Sequence, residues 1–96
     1  MTELKNLLII DDDKELTTLL SEYLSYEGFR LHCCHDGLSG LEQAKSKNYD
    51  LILLDVMMPG LTGFEVLKAL GGKHTTPILM LTAKGDDADR ILGLEL

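Results

Sequence analysis

Leu51-Ile52-Leu53-Leu54-Asp55 sets four consecutive apolar residues directly against one acid. The same design occurs earlier, in Leu7-Leu8-Ile9-Ile10-Asp11-Asp12, and later, in Ile78-Leu79-Met80-Leu81-Thr82. A run that is apolar at every position, not every second one, suits a strand covered on both faces, as in a parallel sheet. Between the runs, apolar residues return at helical spacing. Leu16, Leu19, Leu20, Tyr23 and Leu24 mark one helix, with Asp13 as its N-cap and Gly28 as its stop. Leu38, Leu41 and Ala44 mark a second, and Phe64, Leu67 and Leu70 a third, ended by Gly71-Gly72. Phe29 to Cys34 supplies another strand, followed by a turn at His35-Asp36-Gly37. Met57 to Gly63 contains Pro59, Gly60 and Gly63 and is read as a loop. Asp86 opens a last helical pattern whose clearest apolar pair is Ile91 and Leu92.

Strand and helix thus alternate four times with short connections. This predicts an α/β fold: a doubly wound parallel sheet in three layers with right-handed crossovers. The last helical pattern runs to Leu96 without a terminating signal, so residues 1–96 are expected to be one domain, incomplete at its C-terminus.

The totals narrow the function. Ninety-six residues make one small domain, and 45% hydrophobic content is enough to build a core. A net charge of -7, from 16 acidic and nine basic residues, argues against this segment gripping a nucleic-acid backbone. No apolar run approaches the ~20 residues that span a bilayer, and Met1 to Asn6 lacks the features of a secretory signal. A cytoplasmic location without membrane attachment is the expectation. Cys33 and Cys34 are adjacent and would point to opposite faces of a strand, as small filler residues in a reducing compartment.

In open parallel sheets, ligands bind beyond the carboxyl ends of the strands. Three runs end there in reactive polar residues: Asp11-Asp12, Asp55 and Thr82. Each acid taken singly fits a cap or a turn, and Asp13 is read as only that. Together they deliver three carboxylates and a hydroxyl to one rim. Two such charges about 4 Å apart repel by roughly 4 kcal/mol at an effective dielectric of ~20. A hard divalent cation, Mg²⁺ by preference, would offset that repulsion.

The three blocks Leu7–Asp13, Leu51–Gly60 with Gly63, and Pro77–Ala83 resemble, in order and separation, the signature blocks of response-regulator receiver domains. The resemblance covers the whole chain. Thr82-Ala83-Lys84-Gly85, followed by Asp89-Arg90-Ile91-Leu92-Gly93-Leu94-Glu95, is similar to the OmpR/PhoB subfamily. This resemblance implies a flavodoxin-like, CheY-like fold and makes Asp55 the acceptor of a phosphoryl group from a sensor histidine kinase. Asp12 and Asp55 would ligate Mg²⁺ through carboxylate oxygens, Asp11 largely through water, and Met57 through its backbone carbonyl. Thr82 would hydrogen-bond the phosphoryl group and act as the switch, and Ala83 would leave room beside it. The chain would be a signalling domain that catalyses only its own phosphoryl transfer and dephosphorylation. Activation would bring homodimerisation through the fourth-helix face, with Arg90 and Glu95 as candidates. DNA would be contacted only by a C-terminal winged-helix domain outside these residues. A fourth strand lacking a fifth beside it would be an exposed apolar edge.

Lys84 follows the fourth strand, where the resemblance assigns lysine no role. His32, His35 and His74 show no ligand spacing, and Ser39, Thr17 and Thr18 read as ordinary helix polar residues. A Mg²⁺-dependent phosphohydrolase of the haloacid-dehalogenase kind is the alternative, with Asp11 as nucleophile and Asp13 as acid-base. It leaves Asp55 idle, and Glu15 departs from its motif.

Overall fold

The computed structural model describes residues 4–71, 75–81 and 91–95, the last as backbone. Its elements are β1 (Lys5–Ile10), α1 (Lys14–Tyr26), β2 (Phe29–Cys34), α2 (Gly37–Ser46), β3 (Leu51–Asp55), α3 (Gly63–Leu70), β4 (Ile78–Leu81) and β5 (Ile91–Glu95). The sheet order is β2-β1-β3-β4-β5, and the first four strands run parallel. The predicted architecture holds: a parallel sheet wound in both directions from β1, with helices on its faces.

The unbroken apolar runs are explained by burial on both sides. Leu8, Ile10, Ile52, Leu54, Ile78 and Met80 form one cluster with Val66 of α3, and Leu41 and Ala44 of α2 pack against it. Each fully buried aliphatic side chain contributes ~1.5–3 kcal/mol relative to exposure. Leu7 and Ile9 point to the other face and are buried too. The adjacent cysteines divide in the same way: Cys34 is buried in the cluster, and Cys33 lies 3.4 Å from Ser21 Oγ of α1.

Two glycines set how closely the helices approach. A Cβ on Gly63 would overlap the Asp55 carbonyl oxygen and come within 2.8 Å of Val56 Cα. A Cβ on Gly37 would lie 2.6 Å from the carbonyl oxygen of Leu61. The loop leading into α3 is therefore in main-chain contact with the end of β3 on one side and the start of α2 on the other.

One expectation is corrected. Ile91–Glu95, read as part of a fourth helix, is an antiparallel strand on β4, pairing Leu79 with Leu94 and Met80 with Gly93. The earlier part of that pattern, 86–90, lies outside the described residues, so they contain no fourth helix. The physical reason is the edge: β4 would otherwise present unpaired N–H and C=O groups along an apolar run. An extended segment satisfies them, whereas a helix satisfies only itself. The expected bare edge on β4 is consequently covered.

Candidate functional site

The strand order reverses between β1 and β3: β2 follows β1 on one side, while β3 lies on the other. Crevices open at such a switch point, beyond the carboxyl ends of the strands. Asp11 and Asp12 leave β1 there, and Asp55 is the last residue of β3. Carboxylate oxygens of Asp11, Asp12 and Asp55 lie within 4.8 Å of one another. The structure thus brings together the three acids that the sequence singled out.

Their environments differ. Asp55 is 0% exposed and Asp11 is 1% exposed, while Asp12 faces solvent. The Asp11 backbone N–H donates to the Cys34 carbonyl (3.0 Å), and its Oδ1 accepts the Asp13 N–H (2.9 Å). Asp55 Oδ1 accepts the Met57 N–H at 3.2 Å. The second oxygens, Asp11 Oδ2 and Asp55 Oδ2, are buried without any hydrogen-bond partner. Burial, reinforced by the charge of Asp11, pushes the Asp55 carboxyl up to about 7. Burial also raises Asp11, with Asp12 adding to it.

Unpartnered buried carboxylate oxygens are costly, and natural sites relieve the cost with a proton or a cation. The donor set here is oxygen only, which suits a hard divalent ion over zinc or copper. Asp11, Asp12 and Asp55 therefore fit a metal of the Mg²⁺ class.

Asp13 does what the sequence suggested: it caps α1, accepting the Leu16 N–H at 3.1 Å. The Met57 side chain is exposed, and its N–H is a donor to Asp55, a contact the sequence did not announce. Thr82, Ala83, Lys84 and Arg90 lie outside the described residues. Glu95 sits in β5 opposite Ile78.

A second contact was also missed. The Thr17 hydroxyl, read as an ordinary helix polar group, is buried and lies 3.1 Å from His35 Nε2. Nothing in the spacing of residues 17 and 35 signals this pair.

Comparison with known proteins decides the family. The response regulator receiver domain family matches residues 7–96. The chain belongs to that family. This receiver domain is 50% identical, over 93 residues, to the transcriptional regulatory protein CpxR of Escherichia coli strain K12, covering 97% of the chain and 40% of CpxR. The chain thus spans about two fifths of the length of this relative. Its fold matches the response regulator TrrA of Thermotoga maritima, solved in complex with Mg²⁺ and BeF, with a TM-score of 0.79 and 36% identity over 84% of this chain and 71% of TrrA. TrrA in complex with the histidine kinase ThkA matches with a TM-score of 0.78 and 36% identity, over 86% of this chain and 72% of that one. The receiver domain belongs to a two-component response regulator, a signalling protein. The phosphohydrolase alternative fails on this membership and on geometry, because Asp13 is committed to capping α1 and Asp11 Oδ1 to the Asp13 N–H.

Proposed function

We propose that Asp55 accepts a phosphoryl group from a sensor histidine kinase, and that Asp11, Asp12 and Asp55 hold Mg²⁺ for the transfer. One observation carries this: Asp55 is the buried acid at the switch point, with one oxygen fixed by the Met57 N–H and the other unpartnered beside two more carboxylates. A carboxylate is a competent nucleophile toward phosphorus. An Asp55 oxygen forms the new P–O bond as the P–N bond to the kinase histidine breaks, and the departing imidazole takes a proton from solvent. The Met57 N–H orients the carboxylate, and the rigid end of β3 fixes its position. Bound Mg²⁺ supplies neutralisation of the charge gathered around the transferring group. The backbone carbonyl of Met57 is a further ligand in this reading, Thr82 hydrogen-bonds the phosphoryl group, and Ala83 leaves space for it.

The kinase partner is supported by the likeness to TrrA, which was solved with a histidine kinase. We assign its contact to α1, which begins at the acidic turn and leaves Leu19 and Tyr23, each 63% exposed, on its open face. The remaining parts of the reading follow CpxR, a transcriptional regulatory protein of greater length. They are a C-terminal winged-helix domain that contacts DNA, self-association on activation, a cytoplasmic location, and no catalysis beyond the domain's own phosphorylation and dephosphorylation. Among the described residues no helix is long and apolar enough to cross a membrane.

Incubation with acetyl phosphate and Mg²⁺, followed by intact-mass measurement, tests the assignment. One phosphoryl group is gained by the native chain and none by Asp55→Asn. Uptake that persists in Asp55→Asn, or that is lost only in Asp11→Asn, refutes it. Leu19→Glu with Tyr23→Glu should slow transfer from the kinase while leaving uptake from acetyl phosphate unchanged.

A further inference from the structure

We propose that His35 is a positioning residue for Asp12, acting through the buried hydroxyl of Thr17; the proposal rests on the phosphoryl-acceptor reading above and extends it. Thr17 is the one fully buried residue of α1. Its hydroxyl lies 3.1 Å from the carbonyl oxygen of Lys14 and 3.1 Å from His35 Nε2. A hydroxyl has one proton to give, and a carbonyl can only accept. With the Thr17 proton directed to Lys14, the Thr17 oxygen is left to accept an N–H from the Nε2 tautomer of His35. In that arrangement the imidazole carries its hydrogen at Nε2 and His35 is the donor, which is the form the proposal requires.

The tie matters because of what lies between its ends. Cys34 and His35 are consecutive residues at the exit of β2. The Cys34 carbonyl accepts the Asp11 N–H at 3.0 Å, holding the acidic turn where it leaves β1. His35 holds the same turn where it enters α1, since the Thr17 N–H closes onto the Asp13 carbonyl at 3.0 Å. Asp12 projects from the segment between these two anchors and is the exposed member of the acid triad. The backbone anchor is available to any sequence. The side-chain anchor requires a donor at 35 and a buried hydroxyl at 17. Groups hydrogen-bonded behind a metal ligand typically tune affinity by about 10–100-fold, and the His35 tie reaches Asp12 one step further back, through the main chain.

The test uses the native chain, His35→Ala, His35→Asn, His35→Gln, Thr17→Val and Thr17→Ser. Gln can place an amide N–H near the position of Nε2, and Ser keeps the hydroxyl. Magnesium affinity is measured by calorimetry, and acetyl-phosphate uptake is followed across a range of Mg²⁺ concentrations. Thermal melting is recorded for each protein. His35→Ala and Thr17→Val are expected to weaken Mg²⁺ binding by roughly tenfold. The double variant should lose no more than either single, as for two halves of one bond. His35→Gln and Thr17→Ser should recover most of the affinity, and saturating Mg²⁺ should restore the uptake rate of His35→Ala. NMR of the native chain should show His35 protonated at Nε2. A tie serving stability alone would lower the melting temperature and leave Mg²⁺ affinity native, which would overturn the proposal. If the Ala and Val variants do not fold, His35→Asn decides, because its shorter amide cannot reach the Thr17 hydroxyl: weakened Mg²⁺ affinity supports the tie, and native affinity overturns it. A native chain that binds Mg²⁺ but takes no phosphoryl group sinks the functional reading alone. One that binds no Mg²⁺ sinks both.

Discussion

Asp55 sits in the last position of β3 with no solvent contact and one oxygen unsatisfied, so its charge is a burden on the folded chain without a cation. Its carboxyl is raised to about 7 in the fold, above the ordinary carboxylate value near 4 that holds in the unfolded chain. Between those values the folded state binds the extra proton, so stability is full below about pH 4 for this group and falls as pH rises toward 7. Metal-free protein should therefore melt lower at pH 7.5 than at pH 5, by an amount equivalent to no more than ~3 kcal/mol. Asp55→Asn or saturating Mg²⁺ should flatten that dependence, and melting curves across the range check it. The three acids were legible because each is the first polar residue after an apolar run, a pattern the parallel sheet imposes. His35 and Thr17 were not, because a hydroxyl–imidazole pair joining two elements leaves no period in the chain. The roles given to Thr82 and Ala83 stand on resemblance, since both lie outside the described residues.

The helices show where patterning is a blunt instrument. Leu16, Leu19, Leu20, Tyr23 and Leu24 all fit helical spacing, but their arc is wider than the face α1 can bury. Leu19 and Tyr23 fall outside it, and the burial centres on the polar Thr17. A count of apolar residues could not find a stripe whose middle is a threonine. Leu38 on α2 is likewise exposed, although Leu41 packs inward. Local signals did better. Asp13 caps α1 as expected, and Asp36, read only as a turn residue, caps α2 by accepting the Ser39 N–H at 2.8 Å, which lowers its carboxyl. Thr62 and Glu65 form a capping box at α3, with Glu65 N to Thr62 Oγ1 at 3.2 Å and Thr62 N to Glu65 Oε1 at 2.8 Å. Thr62→Ala should cost about 1 kcal/mol of unfolding free energy in urea titration. Gly63→Ala should cost more, ~1–3 kcal/mol, since its methyl meets main-chain atoms that cannot turn aside. An unchanged midpoint in Gly63→Ala would contradict the close approach.

At the scale of the molecule, the fold class follows from alternation of apolar runs and helical stripes, and it was readable. The fate of residues 91–95 was not, because a short apolar segment can serve helix or strand, and only a neighbouring edge decides. The two sides of the sheet are protected differently. On β2 the outward Arg30 and His32 are exposed, and a charged side chain on an edge strand discourages pairing with another chain. Among the described residues, β4 is shielded by β5. Replacing both Gly93 and Leu94 with proline should strip that shield, because adjacent residues of a strand alternate in the direction of their N–H groups and at least one faces β4. Sedimentation should then show concentration-dependent association that the native chain lacks at equal concentration. The glycine contacts at positions 63 and 37 have a mechanical corollary. At Gly63 the head of α3 rests on the main chain of the acceptor strand alone, and at Gly37 the head of α2 rests on the Leu61 carbonyl together with the Leu61 and Val66 side chains. A tug on the main chain at residue 55 is therefore handed directly to α3, and through Leu61 and Val66 to α2.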